Sequence, residues 1–202
     1  MLPCSRYYLI MIVLFCCGCS DTPQLQKLAP DAVILAFGDS LTFGTGTDSK
    51  NSYPSVLQKN INIRVINSGV PGEVTATGLK RLKEELIEHQ PHLVILCHGG
   101  NDILRRYDKN NTRENLSNMV KLVRDYGADI VLVAVPEFGL IPSAAPLYGQ
   151  VAEEYNIPVE MDIVPSLERR PAFKSDAIHF NKAGYAEMAK AIVALLHKHN
   201  AI

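Results

Sequence analysis

The sequence predicts an α/β protein, a three-layer α/β/α sandwich with helices on both faces of a parallel sheet. Short apolar, β-branched runs such as Val33 to Phe37 and Leu93 to Cys97 have the length and composition of strands buried on both sides. Between such runs lie longer stretches with apolar residues at helical spacing. The two kinds alternate strictly along the chain, so each strand returns by a crossover, and its neighbours are parallel. At 202 residues, 47% hydrophobic and 20% charged, the chain suits one domain with a substantial core. No internal repeat and no second domain are visible.

The first strand stops at Gly38, where the polar pair Asp39-Ser40 begins. Asn51 to Asn60 reads as a helix with Pro54 in its first turn. Ile61 to Ile66 alternates as a second strand. Thr75 to His89 carries Leu79, Leu82 and Leu86 at helical spacing, and Pro91 ends it. Leu93 to Cys97 is the third strand. Thr112 to Tyr126 is a helix capped by Thr112 or Asn111. Ile130 to Val135 is a fourth strand closed by Pro136. A helix over Pro146 to Tyr155, a short strand around Ile157 to Glu160 and a long helix over Lys182 to His199 complete the order.

The amino terminus is a separate object. Arg6 and the apolar run Tyr7 to Cys17 have the make-up of a secretory signal over residues 1–18, too short to span a bilayer. Small residues precede Cys19, in the manner of a bacterial lipoprotein cleavage site, although Cys16 stands where that motif usually has Leu. The alternatives are a plain signal peptide or an uncleaved anchor. On the lipoprotein reading, Cys19 is lipidated and tethers the protein to a membrane of the bacterial envelope. Residues 19–30 are then a tether, and 31–202 the folded domain. Of five cysteines, four lie in or at this leader, so Cys97 has no partner and reads as a small buried hydrophobe. A net charge of −1 with no basic block argues against a nucleic-acid surface.

Four segments break the core pattern: Gly38-Asp39-Ser40-Leu41, Asn67-Ser68-Gly69-Val70-Pro71-Gly72, Gly99-Gly100-Asn101-Asp102 and Asp176-Ala177-Ile178-His179. The first three follow successive strands, and in a parallel sheet such loops open on one edge. The approach to the last helix returns His179 to that edge. Acyl transfer needs this set: Ser40 as nucleophile, His179 as base, and Asp176 three residues earlier to orient the imidazole. The backbone N–H groups of Ser40 and Gly72 and the Asn101 amide are the candidate donors to an oxyanion. Alone, each residue has a plainer role: Ser40 a helix cap, Gly72 and Asn101 turn residues, Asp176 and His179 a capping pair. Asp39 and Asp102 read as loop-holding acceptors. His98 either lines the cleft or is satisfied by backbone.

Other chemistries fail on detail. Gly44-Thr45-Gly46 lacks the third glycine of a dinucleotide loop, which would fall at Ser49. Asp176, His179 and His98 do not make a recognised metal-ligand spacing. Thr42 stands where an α/β-hydrolase elbow requires glycine.

With all four blocks in order, the chain resembles the GDSL lipases, or SGNH hydrolases, from about Ile34 to the last helix. It is most similar to the bacterial multifunctional acyl-thioesterase, arylesterase and lysophospholipase group. One departure is Phe180, where that group often has Pro after the histidine. The resemblance implies a flavodoxin-like parallel five-stranded sheet and a serine esterase working through an acyl-enzyme on acyl esters or thioesters. It implies a triad of Ser40, His179 and Asp176, an oxyanion hole of Ser40, Gly72 and Asn101, a small ester or lysolipid-like substrate, no metal and no cofactor. The apolar segment Pro136 to Tyr148, with Phe138, Leu140 and Ile141, is either one wall of the acyl cleft or packing over the sheet edge. The alternatives in function are a carbohydrate acetyl esterase, disfavoured by the absence of Trp, and a non-catalytic envelope lipoprotein.

Overall fold

The structure, a computed structural model, describes residues 22–137 and 139–202. The expectations for the signal peptide, for lipidation of Cys19 and for Phe138 lie outside the described residues.

Strand β1 (Val33–Gly38) is buried from Ile34 onward. A single helical turn, α1 (Ser40–Phe43), follows at once, then α2 (Tyr53–Ile61) and β2 (Arg64–Gly69). Next come α3 (Thr75–His89), the wholly buried β3 (Leu93–Cys97), the short α4 (Gly100–Leu104), α5 (Lys109–Tyr126) and β4 (Asp129–Val133). A small hairpin, β5 (Pro136–Glu137) with β6 (Ser143–Ala144), precedes α6 (Pro146–Tyr155) and β7 (Val159–Glu160). The chain ends with α7 (Ile163–Glu168) and α8 (Lys182–Lys198).

The main sheet has five strands in the order β2-β1-β3-β4-β7, all pairs parallel. This is the flavodoxin-like order. Helix α2 packs against α8, while α3 packs against α5 and α5 against α6. Right-handed crossovers put these two groups on opposite faces of the sheet. The apolar central strands β1, β3 and β4 are therefore covered on both sides, and supply much of the core.

Several boundaries differ from the sequence reading. The alternation of Ile61-Asn62-Ile63 imitates a strand, but Ile61 completes α2, and Asn62 stops it in the left-handed region at φ 53°. The strand begins three residues later and continues through Asn67-Ser68-Gly69, pairing Asn67 with Ala36 and Gly69 with Gly38. As an edge strand, β2 tolerates those polar residues. Helix α5 begins at Lys109 because Asp108 accepts the N–H groups of Asn110 and Asn111, both at 2.9 Å, the capping expected of Thr112 or Asn111. Helices α1, α4 and α7 are too short to show a period.

Residues 23–28, read as tether, lie against the domain. Leu25 N–H donates to the His199 carbonyl at 3.0 Å and Leu28 N–H to that of Ala201 at 2.8 Å. Gln26 N–H donates to Asp129 at 2.6 Å. Both leucines are partly buried against the core.

Candidate active site

Register fixes the site. Gly38 pairs with Gly69 on one side and Cys97 on the other, so β1, β2 and β3 end on one line. The segments that follow, with Ser40, Gly72 and Asn101, all leave from that edge. Helix α8 runs back across the sheet, and the turn before it delivers His179.

His179 Nε2 stands 3.0 Å from Ser40 Oγ, and its Nδ1 stands 2.8 Å from Asp176 Oδ2. The other Asp176 oxygen accepts the N–H groups of Ile178 and His179, both at 2.8 Å. These two backbone bonds, with the imidazole bond after them, hold the Asp176 carboxyl at about 2, below the ordinary 3.8. An ionised Asp176 keeps the proton on Nδ1, which leaves the Nε2 lone pair facing the serine hydroxyl. The sequence separates these groups by 139 residues; the fold joins them in one hydrogen-bonded run.

The loop carrying Asp176 and His179 is anchored at several points. Ser175 N–H donates to the His179 carbonyl at 2.9 Å. Lys174 Nζ bonds Glu168 at 2.5 Å and the Ala177 carbonyl at 2.7 Å. Phe180, the departure from the family pattern, is fully buried edge-on against Tyr185, with centroids 5.7 Å apart. It plugs the loop into the core just after the histidine.

At the head of α1, Asp39 is buried and accepts the Leu41 N–H at 3.2 Å. Burial pushes its pKa up, against the pull of His98 and the backbone bond. Asp102 accepts from Thr75 twice, from N–H at 2.9 Å and from Oγ1 at 2.6 Å. Both aspartates hold loops, as expected. The N–H groups of Ser40 and Gly72 find no acceptor among the described residues. Gly72 sits at φ 79°, a conformation L side chains rarely adopt. Asn101 Nδ2 donates to the Glu73 carbonyl at 3.0 Å and, more weakly, to Asp39 at 3.3 Å.

Behind these donors lies a polar cluster in which His98, singled out by the sequence, meets two partners that sequence reasoning missed, Glu73 and Arg81. His98 Nε2 meets Glu73 at 3.2 Å, and Arg81 grips the same carboxylate through Nε at 3.1 Å and Nη2 at 2.8 Å. The signal was Gly78, a glycine inside an otherwise regular helix, which marks a close approach.

A cleft of about 240 Å³ opens beside Ser40 and Asn101, with Ile103, Leu104, Val135, Pro142, Val164 and Ile178 among its walls. Glu137 and Glu168 also line it, each paired at 2.5 Å, with Lys109 and Lys174 respectively. The hairpin segment does supply part of a wall, through Pro136, Gly139 and Pro142. Leu140 and Ile141 do not: at 106% and 72% exposure they project from the hairpin tip into solvent. Both sit in the turn that joins β5 to β6, where the reversal of the chain rather than apolarity decides which side chains face the cleft. Among the described residues, no group of three His, Cys, Asp or Glu side chains is arranged to hold a metal ion.

The family model for the GDSL-like lipase/acylhydrolase family matches residues 36–187. An arylesterase of Vibrio mimicus is 29% identical over 202 residues, covering 95% of this chain and 98% of its own. The esterase TesA of Pseudomonas aeruginosa is 32% identical over 154 residues, covering 71% of this chain and 77% of its own. The crystal structure of AlinE4, an SGNH-hydrolase family esterase, superposes with a TM-score of 0.64 at 32% identity, covering 85% of this chain and 98% of that one. With a model match running from β1 into α8, the chain belongs to the GDSL-like lipase/acylhydrolase family.

Proposed function

We propose that this acylhydrolase is a serine esterase that cleaves small acyl esters or thioesters through an acyl-enzyme on Ser40. The observation that carries the reading is the hydrogen-bonded run from Asp176 through His179 to Ser40 at the mouth of an apolar cleft. His179 Nε2 takes the hydroxyl proton as Ser40 Oγ attacks the acyl carbon, and Asp176 stabilises the resulting imidazolium. The carbonyl oxygen becomes an oxyanion held by the N–H groups of Ser40 and Gly72. Asn101 adds a third donor by giving up its long bond to Asp39. The imidazolium then protonates the leaving group. Water, activated by the same imidazole, releases the acid.

A cleft of about 240 Å³ suits a short acyl group, and the Vibrio mimicus relative bears the name arylesterase. Hydrolysis of p-nitrophenyl esters tests the reading. Ser40→Ala lowers turnover on the order of a millionfold. Asn101→Ala costs about 100- to 1,000-fold and leaves a measurable remnant. Equal residual rates for the two variants would overturn these roles.

The second part of the reading is an envelope location, with Cys19 lipidated. It rests on the apolar leader and the small residues before that cysteine. No helix among the described residues is long and apolar enough to cross a membrane. Labelling of expressing cells with an alkyne fatty acid should mark the protein, and Cys19→Ser should abolish the mark. Equal labelling of both forms would exclude this site.

A further inference from the structure

We infer that His98 is a positioning residue for the oxyanion hole, joining through Glu73 the two loops that carry its donors. The inference rests on the oxyanion roles proposed for Gly72 and Asn101, and adds to them a residue that touches neither substrate nor nucleophile.

His98 follows β3 directly and is fully buried. Its tautomer is set by its partners. Gly99 N–H donates to Nδ1 at 2.9 Å, so Nδ1 carries no proton, and the Nε2–H donates to Glu73 Oε2 at 3.2 Å. Nδ1 thus fixes the start of the Gly99-Gly100-Asn101 loop, and Nε2 fixes the residue after Gly72. The two loops meet again where Asn101 Nδ2 donates to the Glu73 carbonyl at 3.0 Å. Glu73 is therefore held by both ends, its carboxylate by His98 and its carbonyl by Asn101. One backbone step before it is the Gly72 N–H.

The rest of the cluster is built around this contact. Burial would raise the Glu73 pKa, but the bonds from His98 and Arg81 outweigh it and bring the group to about 2. Arg81 also donates to Ser68 Oγ at 2.5 Å and to the Ser68 carbonyl at 3.1 Å, and its guanidinium lies 4.1 Å from the Phe37 ring centroid. The staple is thereby tied to β1 and β2. A Cβ on Gly78 would stand 2.4 Å from His98 Nε2 and 3.2 Å from Glu73 Oε2. Helix α3 keeps a glycine where the imidazole and carboxylate need the room. Tyr148 Oη–H donates to the His98 carbonyl at 2.7 Å and closes the far side.

A donor misplaced by a fraction of an ångström serves the transition state poorly and the ground state almost as well. The test uses the full chain and p-nitrophenyl butyrate, with phenylboronic acid as a tetrahedral mimic. His98→Leu should lower kcat about 10- to 100-fold with KM within about threefold, and weaken boronate inhibition in parallel. His98→Gln, which keeps a donor near the Nε2 position, should recover most of the loss. Melting temperatures of both variants separate this pattern from simple destabilisation, which would lower the active fraction without changing boronate affinity. If His98→Leu does not fold, Arg81→Met decides, since it loosens Glu73 from the partly exposed side and should show the same loss confined to kcat. An unchanged kcat, or a loss with boronate affinity intact, overturns the positioning role. If Asn101→Ala is also without effect, the failure lies with the oxyanion reading itself. If Asn101→Ala costs 100-fold and the His98 and Arg81 variants cost nothing, only the staple is wrong.

Discussion

Asp176 divides its two oxygens between structure and chemistry, one closing the turn through two backbone N–H groups, the other holding the imidazole. Asn at this position keeps the turn acceptor and loses the charge, so Asp176→Asn should cost one to two orders of magnitude less in kcat than Ser40→Ala. Equal losses in p-nitrophenyl ester turnover would mean that the turn itself is lost. Glu73 offers a different reading, of stability against pH. Its folded pKa of about 2 lies below the ordinary 4.5, so the unfolded chain binds more protons between those values and stability rises with pH there. The contribution is complete above about 4.5 and lost as pH falls towards 2. Denaturation of parent and Glu73→Gln should therefore show a wide gap at pH 7 that narrows at pH 2.5; a constant gap would deny the carboxylate its role. The residues of the four blocks were legible because three blocks follow strands, the fourth leads into the last helix, and together they make a chemically sufficient set. Glu73 and Arg81 were not, because a charge beside or on a helix reads as solvated until the fold buries it, and for His98 the sequence left cleft and backbone open.

At the scale of elements, legibility followed length and burial. Helix α3 and strand β3 match their expected bounds because each carries an uninterrupted pattern with a stop at its end. Strand β2 slipped by three residues, since an edge strand needs no continuous apolar face. The hairpin between β4 and α6 is the poorest reading: the sequence leaves its apolar residues as either cleft wall or packing over the sheet edge, yet Leu140 and Ile141 face solvent. Acyl specificity should therefore not depend on the hairpin tip. Leu140→Ser and Ile141→Ser should leave the chain-length profile on p-nitrophenyl esters unchanged. Leu104, at the end of α4, does line the cleft and is 39% exposed, so a larger residue there need not disturb the core. Leu104→Trp should reduce kcat/KM for octanoyl relative to acetyl esters by about tenfold, the scale of a steric clash in an apolar pocket. A profile altered by the hairpin-tip variants and untouched by Leu104→Trp would relocate the acyl site to the tip.

Over the whole molecule the sheet has two edges with different work. The carboxyl edge gathers Ser40, Gly72, Asn101 and His179; the amino edge gathers residues 23–28 and the residues that follow α8. Helix α8 runs antiparallel to the strands and finishes there, and residues 23–28 bond to His199, Ala201 and the first residue of β4. His199 returns a contact from Nδ1 to the Pro23 carbonyl at 2.6 Å, and Gln24 bonds Asn200. The sequence hid this strap because its apolar residues, Leu25 and Leu28, are too few to show a period and sit among polar ones. Partial burial of two leucines, with the backbone bonds, contributes about 2–3 kcal/mol. A chain starting at Asp31 should therefore melt about 5–10 °C lower than one starting at Thr22. Its kcat on a short ester at 20 °C should stay within about twofold, because the strap and the cleft lie at opposite ends of the strands. Equal melting temperatures would return residues 23–28 to the status of a loose tether. A fall in kcat that matched the fall in stability would mean that the two edges are coupled through β1 and β4, whose close-packed burial is the route by which strain would pass.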